Sequence, residues 1–140
     1  AIISGRSLTL TRTPLLRERN FGALRGRSYE DIGFDFFAED YAPDGGESWS
    51  VFHRRIAHAW EAIVNASQQC DENLLVVTHG LVCRRIVKAL CANPGEFKLP
   101  DKFGNTSVTV IEDTVPFNLT RVDDTRHLQG NISEQSKGVV

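Results

Sequence analysis

"LLVVTHGLVCRRIVKAL", residues 74–90, decides the reading of the chain. Residues 74–78 form a short apolar run with two valines and a closing threonine, the pattern of a strand buried on both faces at the centre of a parallel sheet. His79 and Gly80 follow, and then Val82, Ile86 and Leu90 recur four apart, which predicts a helix over about residues 80–91. A histidine therefore stands where a strand hands over to a helix. In layered α/β sheets that is the position at which ligands bind.

The neighbouring stretches extend this picture. Upstream, Trp49, Phe52, Ile56, Trp60 and Ile63 fall at steps of 3, 4, 4 and 3. They predict an amphipathic helix ending near Gln69, with Ser48 as its N-cap and Glu47 near its positive end. Downstream, "NPGE" stops the second helix, and residues 107–112 and 116–122 read as two strands joined by a tight turn. Before the long helix, residues 14–33 read as a loop broken by Gly22 and Gly26. Residues 34–46, aromatic and acidic, read as a short helix followed by a turn. Residues 1–12 suggest the tail of a helix running into a short strand, and the polar residues 129–140 a frayed tail. Helix, central strand, helix and closing strands make an α/β sheet in layers, a single domain without internal repeats.

Bulk composition narrows the function classes. The 140 residues are 41% hydrophobic and 24% charged, with a net charge of −2 and a pI near 6.1. That balance argues against a nucleic-acid or anionic-membrane partner, and no stretch approaches the ~20 apolar residues of a membrane span. No secretory signal is visible, so the four Asn-x-Ser/Thr sequons carry no glycan expectation. Cys70, Cys83 and Cys91 match neither a zinc nor a CxxC pattern and read as reduced thiols, which points to the cytoplasm. His53 and His58, five apart on one helix, lie about 140° apart around it, so no metal site is expected there. Arg84, Arg85 and Lys88 form a basic helix face.

Two places could carry chemistry. His79 sits beside the first backbone N–H groups of the second helix, those of Gly80 and Leu81, and a helix N-terminus with an adjacent imidazole suits an anion such as phosphate. Glu18, in "LRERNFG", is flanked by Arg17 and Arg19 and could exchange a proton near such an anion.

"LRERNFGALRG", "PDGGES", "VVTHG" and "NTSVTVIE", in that order, resemble the histidine phosphatase superfamily, also called phosphoglycerate mutase-like. The resemblance runs from Leu15 to about Leu128. It implies an α/β/α sandwich whose phosphate pocket holds two Arg and two His, with one His forming phosphohistidine. It implies further that Glu18 is the proton donor and acceptor and that His79 is the second, non-nucleophilic histidine. Gly80 and Leu81 would line the phosphate, and Arg19 and Asn20 would contact the non-reacting end of the substrate. No cofactor or metal is implied. The partner is a small phosphorylated substrate, and a homodimer stays open.

The family's nucleophile lies in an Arg-His-Gly motif at the end of the first strand, and this sequence has none; "TRH" at residues 125–127 is followed by Leu128. The expectation is a partial domain over residues 1–128, incomplete at its N-terminus. The chain's lack of methionine and its start at Ala1 are in keeping with that. The family's cofactor-dependent mutases carry a Tyr and then a substrate-binding Lys after the Glu, where this chain has Phe21 and Tyr29. They also carry an insertion with paired arginines where this chain has residues 34–46. Both departures favour hydrolysis of a small phosphate monoester, with residues 34–42 as a lid. The alternatives are a catalytically inactive paralogue that binds phosphorylated ligands or a protein partner, and a mutase.

Overall fold

The computed structural model describes residues 9–128. Two helices and one hairpin organise them: α1 (Trp49–Ser67), α2 (Gly80–Leu90), β1 (Val108–Ile111) and β2 (Leu119–Asp124). α1 starts at the expected cap, where the Ser48 Oγ accepts the Val51 N–H at 3.3 Å. Its apolar stripe turns inward against α2, so that Phe52, Ile56, Val82 and Ile86 form one buried cluster with Leu16, Trp60 and Ile63 at its rim. Full burial of each such side chain contributes about 1.5–3 kcal/mol. A second cluster, Val87, Phe103 and Leu119, fastens the other flank of α2 to the hairpin. The hairpin strands run antiparallel, pairing Val108 with Asp124 and Ile111 with Leu119 across two irregularities.

The third cluster belongs to the loop region. Phe21, Leu24, Ile32 and Phe36 bury together, and Leu81 packs against both this cluster and the α1–α2 core. Gly22 makes the approach possible. It sits at φ +51°, and a Cβ there would run into the Asp44 carbonyl. Ala23 N–H donates to that same carbonyl at 2.9 Å, and Glu47 N–H donates to Asn20 O at 2.8 Å. The loop around residue 20 is thereby laid against residues 44–47.

Three expectations differ from the structure. Residues 74–78 are not a paired strand: among the described residues no backbone–backbone hydrogen bond reaches them. Leu75 and Val77 are 79% and 81% exposed. A strand is held by the N–H and C=O groups of a neighbour, and none of the described residues runs alongside. Without that ladder the described residues form two α-helices and a two-stranded sheet, the expected mixed α/β class but without the three layers of a sandwich among them. Residues 34–46 hold no helix; they make isolated turns, such as Ala38 N–H to Asp35 O and Tyr41 N–H to Ala38 O. Their backbone is held instead by side chains from below.

The expected frayed tail, residues 129–140, and most of the expected N-terminal helix tail lie outside the described residues. Among the described residues no helix is long and apolar enough to cross a membrane.

Candidate active site

The site is assembled by a loop that the rest of the molecule grips from several sides. Thr13 caps a short 3-10 turn, Pro14–Leu16, by accepting the Leu15 N–H at 3.2 Å. The chain then extends through Arg17 and Glu18. Thr78 Oγ1 donates to Leu16 O at 2.8 Å and ties the loop to the end of the 74–78 run. Arg55 reaches across from α1 and donates to the carbonyls of Leu15 at 2.7 Å, Arg17 at 2.9 Å and Glu18 at 3.4 Å. The other edge of its guanidinium grips Glu47 in a fork, at 2.8 Å and 2.7 Å. Planar two-point pairing of this kind fixes orientation as well as distance.

This clamp sets the Glu18 carboxyl against the start of α2. Its Oε2 accepts the Leu81 N–H at 3.2 Å, and its Oε1 accepts the N–H of Arg19 at 2.9 Å. His79 is the N-cap residue of α2, in an extended conformation and with no side-chain capping bond, and it is exposed. Glu18, His79, Gly80 and Leu81 are thus gathered at one corner, 63 residues apart in the case of the Glu18–Leu81 contact. The first N–H groups of a helix have no partner within it and carry its positive end. Glu18 takes one of them, in the way an anionic ligand would.

Two further groups sit within electrostatic reach of Glu18. Burial raises the Tyr29 phenol above its ordinary value, and the Glu18 charge raises it further. Burial and then the same carboxylate push the Cys83 thiol up as well.

Arg19 and Asn20 direct their polar side-chain atoms into the loop. Arg19 is 2% exposed, and its guanidinium donates to the carbonyls of Glu47 at 2.9 Å, Tyr41 at 2.8 Å and Phe36 at 3.4 Å. It also stacks on Trp49, 3.9 Å from the ring centroid. Burial lowers its pKa, against the raising effect of Glu47 and Tyr41. The side chain of Asn20 is spent within the loop, with Nδ2 donating to Gly45 O at 3.3 Å and Oδ1 accepting the Gly22 N–H at 3.0 Å. Arg19 braces the loop from within, and the exposed Asn20 holds its turn. Together with Trp49, whose Nε1–H donates to Ala38 O at 2.9 Å, Arg19 pins residues 36–41 by their backbone.

Sequence reasoning missed Arg55 as the brace of the Glu18 loop and placed Glu47 only at a helix end. Burial would raise the Glu47 carboxyl, but the Arg55 hydrogen bonds, the Asn20 N–H and the charges of Arg55 and Arg19 hold it below the usual carboxylate range. An arginine seven residues into a helix carries no local sign of a partner 40 positions earlier. An open groove of about 460 Å³ lies elsewhere, lined by Val108, Arg121, Asp124, Arg126 and His127. Its carboxylate is already paired, with Arg126 at 2.7 Å and Arg121 at 3.4 Å.

The N–H groups at the start of α2 and the exposed histidine are donors of the kind that suit an oxyanion, and the carboxyl beside them is a group that can exchange a proton. The family model of the histidine phosphatase superfamily (branch 1) matches residues 1–115. The chain belongs to that superfamily, and membership supports phosphatase or phosphotransfer chemistry in general. No curated protein and no solved structure matches it.

Proposed function

We propose that this chain is part of a phosphatase that hydrolyses a small phosphate monoester through a phosphohistidine intermediate. The observation that carries the reading is the Glu18 carboxyl hydrogen-bonded to Leu81 N–H at the start of α2, with His79 as the N-cap. In this reading the phosphoryl oxygens lie against the helix N-terminus and the His79 imidazole. These groups stabilise the charge that spreads over the oxygens during transfer. A nucleophilic histidine attacks phosphorus, the P–O bond to the leaving group breaks, and Glu18 gives that oxygen a proton. Water then attacks the phosphohistidine, Glu18 takes a proton from it, and phosphate and the free imidazole are regenerated.

The nucleophile is the part these residues do not supply, since the sequence contains no Arg-His-Gly. The unpaired residues 74–78 support a strand from outside the described residues bringing it, because a strand laid along them would end beside His79. That strand would also complete the sandwich. The absence of Arg-His-Gly favours one second reading, a catalytically inactive relative that binds phosphorylated ligands.

The test is phosphate-ester hydrolysis by the protein expressed together with its upstream coding sequence. The proposal expects turnover, a loss of about 10²–10⁴-fold in kcat for Glu18→Gln and a loss at least as large for His79→Ala. Hydrolysis at the parent rate by both variants would overturn the assignment of these residues. Ligand binding without turnover would favour the inactive relative, and phosphoryl transfer to a second substrate faster than to water would favour a mutase.

A further inference from the structure

Leu81 gives its N–H to Glu18 and packs its side chain against the cluster of Phe21, Leu24, Ile32 and Phe36. From that cluster aromatic rings lead outward to the surface. Phe36 meets Tyr29 at 5.1 Å and Phe37 at 4.4 Å between centroids, and Tyr29 and Phe37 lie edge to face at 5.9 Å. Phe36 is buried, whereas Tyr29 and Phe37 are 40% and 39% exposed. The two outer rings therefore rest on a packed base and keep open surface. The backbone behind them is already fixed by Arg19 on Phe36 O and by Trp49 on Ala38 O, so little ordering is left for a ligand to impose.

The charges around these rings are one-sided. Residues 28–53 contain no Lys or Arg, against Glu30, Asp31, Asp35, Glu39, Asp40 and Asp44 in addition to Glu47. Three guanidiniums reach the segment and each is engaged there, Arg19 with three carbonyls, Arg55 with Glu47 and the Glu18 loop, and Arg27 with the Asp31 carbonyl at 3.0 Å. Within residues 28–53 a second negative charge on the substrate would meet carboxylates in excess, with Arg25 and Arg27 flanking them on the N-terminal side.

Resting on the phosphate-monoester reading, we infer that the leaving group is uncharged and aromatic, or similarly flat and apolar, and stacks on Tyr29 and Phe37. These two residues then determine specificity, and substrates with an anionic body, such as phosphorylated carboxylic acids, are disfavoured. The raised Tyr29 phenol keeps its proton near Glu18, so the ring meets the ligand uncharged.

Binding of stable phosphonates to the 140-residue chain tests this without turnover, by titration calorimetry and by the backbone amide signals of Gly80 and Leu81. Benzylphosphonate should bind about tenfold more tightly than methylphosphonate, and phosphonoacetate no more tightly than methylphosphonate. Phe37→Ala and Tyr29→Leu should each cut the benzyl-over-methyl ratio by about threefold or more. Benzyl and methyl affinities within about twofold of each other, or phosphonoacetate binding most tightly, would overturn the inference while leaving the phosphate site standing. If neither the phosphonates nor inorganic phosphate moves the Gly80 and Leu81 signals, the phosphate reading itself fails, and the inference with it.

Discussion

Residues 15–20 and residues 74–78 meet at the same corner of the molecule and are held in opposite ways. The first segment has almost no regular structure, yet its carbonyls are taken one after another by Arg55 and Thr78, and its carboxyl by Leu81. The second has the composition of a core strand, yet Leu75 and Val77 are largely exposed and, among the described residues, no ladder holds it. A loop can be fixed by side chains that reach it from packed helices. A strand needs another backbone. Residues 15–20 are therefore fixed from within the described residues, whereas among those residues nothing pairs with 74–78.

That contrast can be broken most sharply at Arg55. Arg55→Ala removes the donors of three loop carbonyls and leaves Glu47 without its partner in a half-buried position. The expected loss is about 2–3 kcal/mol in urea denaturation, together with displacement of Glu18 from Leu81. A loss under about 0.5 kcal/mol would mean that the loop is held by something else. Arg19→Lys comes next. A lysine keeps the charge but cannot serve three carbonyls and stack on Trp49, and a cost of about 1–2 kcal/mol is expected. Trp49 fluorescence would report the lost stacking, and an unchanged spectrum and midpoint would contradict the pinning role.

Acid should separate the two segments without any mutation. The folded-state value of Glu47 lies below its ordinary 4.5, so its contribution to stability is complete above about that pH. It is lost as pH falls through the lower folded value. Denaturation midpoints should decline below pH ~4.5, and Glu47→Gln should be less stable than the parent at pH 7 with a flatter decline. Parallel pH profiles for the two proteins would contradict this. The smallest effect is expected in the strand-like run: Val77→Thr should change stability by less than about 0.5 kcal/mol, because the side chain is already in water. A cost above about 1.5 kcal/mol would show that residues 74–78 are paired and buried in solution.

What was legible in the sequence follows the reach of each signal. α1 and α2 were visible because a helix is specified by residues three and four apart and by its own cap; Ser48 and the stripe from Trp49 to Ile63 needed no distant information. The hairpin was visible for a similar reason, its two strands being neighbours in sequence. The run at residues 74–78 looked like a strand because composition reports what a segment is suited to. Whether it is paired depends on which backbone lies beside it. Residues 34–46 misled as a helix because their order comes from Arg19 and Trp49, through side chain to backbone bonds that have no period. Glu18, His79, Gly80 and Leu81 were singled out through local motifs, and in the structure they lie close together. Arg19 was assigned an outward role and is buried on the loop's carbonyls instead, because the sequence does not show which way a side chain points in an irregular segment; Asn20, exposed, bonds within its own loop.

The central claim is that Glu18 and the start of α2 form one anion-binding, proton-exchanging corner. Titrating the chain with inorganic phosphate while following its backbone amides tests it most directly. The account predicts saturating shifts centred on Gly80 and Leu81, weakened in His79→Ala, with α1 residues such as Ala57 unmoved. Shifts centred instead on Arg121 and Arg126, or none at Gly80 and Leu81 at millimolar phosphate, would contradict it.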